Sequence, residues 1–297
     1  MRVVSLLPAA TEMVAALGAF ESLVGVTHEC DFPPPVTSRM RVTHATLDAH
    51  APSAAIDAAV RAATAEGTPL FSLDAEGIRA LHPDLIITQA VCDVCAVAEA
   101  DVRALAAQLS PSPPVLSLGA TTLDGILGEI AAVARAIGHD DEGAELVVGL
   151  RARMRAVHER LKAARAPRPR VAVIEWTDPL YAAGHWTPDV IRRAGGVDVL
   201  ATAGAHSVPV STDAIIAAAP DVVIVAPCGF DLARASREAE ALAGAPWCAG
   251  RPVWAIDANA FLSRPGPRVV DAVEIVARIL HPSLFTPLTE GLARRVA

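Results

Sequence analysis

Residues 72–92 read SLDAEGIRALHPDLIITQAVC, and residues 211–228 read STDAIIAAAPDVVIVAPC. Each stretch contains a helix start, a Pro-Asp pair, a short apolar run and a cysteine. Asp74 and Asp213 hold positions that are typical of helix N-caps. The apolar runs 85–88 and 222–225 show no polar alternation, which indicates buried parallel strands. The repeat therefore predicts two lobes of similar construction.

The segments at the start of each half support this division. Residues 3–6 are predicted to form a strand that leads into a helix over 9–17, and residues 171–175 form the corresponding strand of the second half. Thr187 and Pro188 then open a helix that Gly195 and Gly196 end. Strands that alternate with helices predict an α/β fold with two Rossmann-like, parallel-sheet lobes.

A segment of different character separates the halves. Residues 139–166 contain no proline, and their apolar residues recur at helical spacing. A helix of this length spans roughly 40 Å at 1.5 Å per residue. We therefore predict an N-terminal α/β lobe over 1–138, one long backbone helix over 139–167 and a C-terminal α/β lobe over 168–297.

Composition excludes several classes of protein. The net charge is −8 and no block of Lys or Arg stands out, so no nucleic-acid partner is expected. No apolar run approaches the about 20 residues of a membrane-spanning helix. Neither Gly-x-Gly-x-x-Gly nor Gly-x-Ser-x-Gly occurs, which argues against a dinucleotide enzyme and a hydrolase.

The N-terminus and the cysteines bear on location. Residues 1–8 read MRVVSLLP and are interpreted as the first strand rather than as a secretory signal. The chain has five cysteines, an odd number that favours reduced thiols over a disulfide framework. Both features predict a cytoplasmic location, or a periplasmic or extracellular one if a signal has been removed.

Five segments together resemble one family of proteins. They are SLLPAATEMVAALGA (5–19), LHPDLIIT (81–88), AAPDVVIV (218–225), HWTPDVIRRAGGVDVL (185–200) and RPGPRVVDAVEIVARILHP (264–282). The set resembles the helical-backbone (class III) substrate-binding proteins of ABC importers, whose members bind cobalamin, haem and ferric siderophores. The resemblance implies a metal-chelate ligand held between the lobes, without catalysis, and delivery to an ABC permease.

Cysteine-bearing loops follow several predicted strands. In parallel α/β sheets, ligands bind beyond the carboxyl ends of the strands, where these loops lie. Cysteine and histidine suit zinc or an iron centre. The predicted metal ligands are His28, Cys30, Cys92, Cys95 and Cys228. Alternatively, the cysteines are small buried residues that pack the bases of the loops.

The second lobe carries a different cluster of candidate residues. Trp176, Tyr181 and Trp186 gather after its first strand, although the chain has only four tryptophans and one tyrosine. Aromatic faces suit a large planar ligand. His185 is a candidate ligand for corrinoid cobalt or haem iron, or else a hydrogen-bonded loop histidine. Arg264 either binds an anionic ligand group or fixes its loop through backbone carbonyls.

Three hypotheses follow for the function. The leading one is non-enzymatic binding of a corrinoid such as cobalamin, or of a related metal chelate, in a cleft between the lobes. The second is a cytoplasmic metalloprotein or thiol enzyme with a Cys/His metal site in the same cleft. The third makes the cysteines a structural zinc site that fixes loops while the ligand lies elsewhere.

Overall fold

The structure, a computed structural model of the chain, describes residues 1–90 and 97–297. The chain forms two compact units. The first comprises Met1–Ala120 and Gly125–Val148, and the second comprises Thr121–Asp124 and Gly149–Ala297. Each unit contains a β-sheet of its own with helices packed against it.

The elements of the first half of the chain alternate between strand and helix. The strands are β1 (Val3–Ser5), β2 (Leu23–Val26), β3 (Met40–Arg41), β4 (Thr43–Ala45), β5 (Phe71–Leu73), β6 (Leu85–Gln89) and β7 (Val115–Leu118). The helices are α1 (Pro8–Ala16), α2 (Ser53–Glu66), α3 (Ala75–Ala80), α4 (Glu99–Gln108), α5 (Leu123–Ile137) and α6 (Asp140–Ala163). Short 3₁₀ helices occupy Phe20–Ser22 and Pro34–Ser38.

The sheet of the first unit is parallel, with the strand order β3-β2-β1-β6-β7. Val3 of β1 lies beside Leu23 of β2 on one side and Leu85 of β6 on the other. Strands β4 and β5 form a separate antiparallel pair. Because both faces of β6 are covered, Ile86 and Ile87 are both fully buried. The carboxyl ends of β1 and β2 lead into the loops that carry Leu6 and His28.

The second unit adds further strands and helices to the chain. The strands are β8 (Arg170–Thr177), β9 (Leu180–Ala182), β10 (Val197–Asp198), β11 (Val208–Pro209), β12 (Val222–Val225), β13 (Val253–Ile256) and β14 (Ala293–Arg295). The helices are α7 (Thr187–Arg193), α8 (Thr212–Ala218), α9 (Leu232–Leu242), α10 (Ala258–Phe261) and α11 (Val269–Leu280). A 3₁₀ helix covers Pro246–Cys248.

The sheet of the second unit is mixed rather than parallel. Its order is β11-β9-β8-β12-β13-β14, and β10 also pairs with β8. Strands β8, β10, β12 and β13 are parallel, as predicted, whereas β9 pairs antiparallel with both β8 and β11, and β14 pairs antiparallel with β13. The prediction of a purely parallel sheet is wrong at both edges, and at the β9 edge the reason is the tight connection formed by Asp178 and Pro179. They return the chain as a hairpin that pairs Thr177 with Leu180.

The helix starts test the capping predictions. Asp74 caps α3 as predicted, since its Oδ1 accepts a hydrogen bond of 2.9 Å from the backbone N–H of Gly77. Asp213 is not a cap. Ser211 takes that role at α8, where its hydroxyl accepts from the N–H of Ala214 at 3.1 Å. The prediction fails because Ser, Thr and Asp are consecutive here, and all three are good N-cap residues.

Helix α6 is the long helix of the chain, with 24 residues that begin in the first unit and end in the second. One face is apolar, and its buried residues are Val147, Leu150, Met154, Val157 and Leu161. Within the second unit, Arg153 of α6 donates to Asp271 at 2.5 Å and to Glu274 at 2.9 Å, both on α11. Over the described parts of the chain, no helix has the length and apolar character needed to cross a membrane.

Candidate functional site

Glu175, near the carboxyl end of β8, connects three loops of the second unit. Its Oε1 accepts a hydrogen bond of 2.7 Å from the Ser207 hydroxyl, and its Oε2 lies 3.3 Å from the backbone nitrogen of Gly184. Its backbone carbonyl accepts from the N–H of Cys228 at 3.0 Å. The loops after β9, before β11 and after β12 therefore meet at one residue.

The environment of Glu175 affects its ionisation. Burial raises the pKa of this carboxyl above its ordinary value, while the hydrogen bonds from Ser207 and Gly184 lower it in part. Desolvation disfavours the charged form, and hydrogen bonds to the carboxylate favour it. The Glu175 carboxyl group is thus engaged in hydrogen bonds with the loops that carry Ser207 and Gly184.

His185 and His206 form an imidazole pair beside these loops. The two rings meet edge to face with centroids 5.1 Å apart, and Nε2 of His185 lies 3.3 Å from Nδ1 of His206. His185 adopts a φ of 53°, and its N–H donates to the Ala205 carbonyl at 2.6 Å. Burial, and then the nearby His206, lower the pKa of His185. The ring is therefore neutral at pH 7, the form that ligates metals.

Aromatic rings form the next part of the same edge. Trp176 and Phe230 have centroids 5.2 Å apart, and the guanidinium of Arg234 lies 3.5 Å from the centroid of the Phe230 ring. The indole N–H of Trp176 donates to the carbonyl of Asp178 at 3.1 Å. Tyr181 is the cross-strand partner of Trp176. Residues paired in this way have side chains close enough to interact.

Two residues of the second unit that were predicted to contact the ligand, Trp186 and Arg264, have buried side chains. Trp186 is 8% exposed, and its indole N–H donates to the carbonyl of Leu262 at 2.8 Å. Arg264 is 5% exposed and donates to Oδ1 of Asn259 at 2.9 Å. These contacts fix local structure, although Arg264 does so through the side chain of Asn259 and not through the backbone carbonyls considered as the alternative. A direct role in ligand binding stays a prediction for both.

In the first unit, His28 lies in a small pocket beside Leu6, Thr27 and Phe71. Its Nδ1 is 2.7 Å from the hydroxyl oxygen of Thr43, and its ring stacks on Phe71 with centroids 5.6 Å apart. Burial is the largest cause that lowers the pKa of His28, followed by the charges of His44 and Arg41. His28 is therefore neutral at pH 7, with one ring nitrogen engaged by Thr43.

The predicted Cys/His metal ligands are only partly described. Cys92 and Cys95 lie outside the described residues. Cys30 is 1% exposed and contacts the Thr11 hydroxyl at 3.1 Å, as expected for a cysteine that packs a loop base, whereas Cys228 is exposed. Among residues 1–90 and 97–297, no three His, Cys, Asp or Glu side chains form a group that could hold a metal ion. The five-residue metal site stays a prediction.

Some residues of the site were not predicted as such. No motif in the sequence marks Glu175, Ser207 or Phe230 as contacts of the site. His206 was only a weak candidate from the sequence, because it has no spacing signal relative to His185, from which it is 21 positions distant. A buried acidic residue at the end of a strand is the one signal that could have identified Glu175.

The family comparison bears on the chain as a whole. Residues 3–252 match the family model described as "Periplasmic binding protein". The chain belongs to this family. The predicted resemblance to substrate-binding proteins is thereby confirmed, and the protein is a ligand-binding protein. The family gives no support to the predicted cytoplasmic location or to metal binding by the cysteines.

Alignments with several relatives cover nearly the full length of this periplasmic binding protein. The vitamin B12-binding protein of Vibrio cholerae is 26% identical over 280 residues, which cover 94% of this chain and 88% of that protein. The solved vitamin B12-binding protein of V. cholerae has a TM-score of 0.63 at 23% identity, with 95% and 97% of the two chains covered. A heme-binding protein of Pseudomonas aeruginosa has a TM-score of 0.74 at 22% identity, with 100% and 98% covered. These likenesses confirm the predicted two-lobed α/β class.

Proposed function

We propose that this protein binds a corrinoid, or a related metal chelate such as haem, without catalysing a reaction. The observation that carries the proposal is the collection of aromatic rings and imidazoles at the carboxyl end of β8. Trp176, Phe230 and Tyr181 supply the rings, and His185 and His206 supply the imidazoles.

This combination fits the chemistry of a metal chelate. Aromatic faces bind the large apolar surface of a corrin or porphyrin. A neutral imidazole nitrogen can ligate the central cobalt or iron, or donate a hydrogen bond to a side group of the macrocycle. The lowered pKa of His185 keeps this nitrogen unprotonated at pH 7.

The relatives order the candidate ligands. A corrinoid comes first because the vitamin B12-binding protein of V. cholerae matches 94% of the chain. Haem is the second candidate, favoured by solved heme-binding proteins of the same fold.

The biological role follows from the family. We propose a binding component that delivers the chelate to an ABC permease and works in the periplasm. The alternative of a metalloprotein or thiol enzyme is less well supported, since the family is one of ligand carriers.

Titration of the purified protein with cyanocobalamin, cobinamide and hemin tests the proposal. We expect saturable binding of at least one chelate, and an affinity loss of tenfold or more, about 1.4 kcal/mol, in W176A. The matched control is W254A, since Trp254 lies on β13 and outside this set of residues. Absence of saturable binding for all three chelates, or equal losses in both variants, would overturn the proposal.

Ligation of the chelate's metal by His185 is tested separately. If His185 ligates the metal, H185Q shifts the visible absorption bands of the bound chelate, while H158Q, at an exposed position on α6, leaves them unchanged. Identical spectra for wild type and H185Q would restrict the imidazole to hydrogen bonding and leave the binding role intact.

A further inference from the structure

The second unit contains a cavity that lies apart from the residues described above. Its volume is about 390 Å³, within the range of small-molecule sites. Its lining comes from β13 (Trp254), β14 (Ala293 and Arg295), the last turn of α11 (Arg278) and residues of the 282–290 segment. Nothing in the proposed chelate site uses these residues.

Two guanidinium groups line this cavity. Arg278 of α11 is half-buried, and across the described part of the chain neither a hydrogen bond nor an ion pair engages it. Arg295 of β14 uses its Nε to donate to the carbonyl of Ala297 at 2.8 Å. Glu290 also lines the cavity, but in the structure as described it pairs with neither arginine. The cavity thus holds an excess of positive charge.

Strand geometry explains why Arg295 faces the cavity. Arg295 is the cross-strand partner of Trp254, so both side chains lie on the same face of the sheet. Arg294, the preceding residue, faces the opposite side, where its guanidinium lies 3.3 Å from the carboxylate of Glu240 on α9. One arginine is therefore neutralised by a carboxylate, and its neighbour is directed toward the cavity.

The remaining wall combines an apolar surface with polar groups. Trp254 contributes a half-buried indole, and Thr286 and Thr289 contribute hydroxyls. The 282–290 segment is held in place through Arg160 of α6, which donates to the carbonyl of Leu284 at 3.1 Å and lies over the ring of Phe285. The wall is thus fixed by contacts with the body of the unit.

We infer that this cavity is a second binding site, for a small organic carboxylate with a flat apolar body. Arg278 and Arg295 bind the carboxylate, because guanidinium groups recognise it with paired, charge-assisted hydrogen bonds. The indole of Trp254 contacts the apolar body. The site is independent of the chelate site in both residues and chemistry.

Benzoate and its neutral isostere benzamide distinguish this site from a non-specific apolar pocket. Binding is followed by NMR through the indole N–H resonance of Trp254, assigned with W254F. We expect benzoate to shift this resonance saturably and benzamide to have no effect. R278Q and R295Q should each weaken benzoate binding at least tenfold, while the adjacent control R294Q keeps wild-type affinity.

Thermal unfolding of each variant shows that it is folded before its binding is compared. The inference is overturned if benzoate causes no saturable shift in the wild type, if benzamide binds equally well, or if R278Q and R294Q have the same affinity. The two proposals are tested independently, because Trp176 does not line this cavity. W176A should therefore leave benzoate binding unchanged, whether or not the protein binds a chelate.

Discussion

The Ser207 hydroxyl donates a hydrogen bond of 2.7 Å to the Glu175 carboxylate and accepts one of 3.1 Å from the backbone N–H of Gly184. One side-chain oxygen thus joins a strand end to two loops whose sequence positions are far apart. The His185–His206 pair lies on those same loops. Its geometry therefore depends on the Glu175–Ser207 contact.

The first prediction concerns the carboxyl group of Glu175. E175A leaves the Ser207 hydroxyl without its acceptor, while the Gly184 N–H keeps only the Ser207 oxygen, so we expect a loss of about 1–3 kcal/mol in the free energy of unfolding. E175Q keeps an acceptor oxygen and resembles the protonated acid that burial favours, so its loss is smaller. Urea denaturation at pH 7 measures both values. Equal losses would contradict the prediction, because the acceptor oxygen kept in E175Q would then not preserve the contact, and a loss near zero in E175A would show that the contact contributes little.

The second prediction concerns the space at Gly184. A Cβ at this position would collide with the backbone of Ser207 and with the carbonyl oxygen of Ala205. Backbone atoms cannot move aside cheaply, so G184A should displace the loop and lower both stability and chelate affinity. The control is G149A on α6, where no atom lies within 4 Å of the new Cβ. We expect G149A to be neutral or stabilising by up to about 1 kcal/mol.

The third prediction concerns Asp198, at the end of β10. Burial raises the pKa of this carboxyl from 3.8 to about 6, although its Oδ1 accepts from the N–H groups of Leu200 and Ala201. Since the folded state binds the proton more tightly, Asp198 contributes stability that is present below pH 3.8 and lost as pH rises through 6. The contribution is about 3 kcal/mol.

The substitution D198N removes this dependence and keeps the acceptor oxygen. We expect the wild type to lose more stability than D198N between pH 4 and pH 7, as measured by urea denaturation at each pH. The control D213N alters an exposed residue in the first turn of α8 and should follow the wild-type curve. Parallel curves for D198N and the wild type would contradict the prediction.

The architecture could be predicted because its signals are local. The Pro-Asp pairs and the apolar runs of β6 and β12 indicate parallel strands without knowledge of their neighbours. The antiparallel edge was missed because β9 has only three residues, which is too short to show a period. Its turn, Asp178-Pro179, also has the composition of an ordinary loop.

The candidate site could be predicted only in part, for a related reason. Trp176, Tyr181 and His185 are close in sequence, so their clustering was visible. Ser207 lies 32 positions from Glu175, and Phe230 meets Trp176 only because β12 pairs beside β8. Pairings of this kind arise from sheet order, which no single segment encodes.

The fourth prediction concerns His281, which ends α11 and is 4% exposed. Burial lowers the pKa of this imidazole below 6.5, and a hydrogen bond with the backbone of Gly195 offsets part of the effect. The folded state therefore binds the proton less tightly than the unfolded chain. As pH falls below about 6.5, protonation of the unfolded state lowers stability until the folded-state pKa is passed.

H281Q should reduce the histidine-dependent loss of stability between pH 7.5 and pH 5, while the opposite contribution of Asp198 is the same in both proteins. It should not abolish that loss, because burial also lowers the pKa values of His28 and His185. Guanidinium denaturation at the two pH values measures the difference. H158Q, at an exposed position on α6, should retain the wild-type difference. If H281Q loses as much stability as the wild type over this interval, the buried imidazole is not a source of the acid sensitivity.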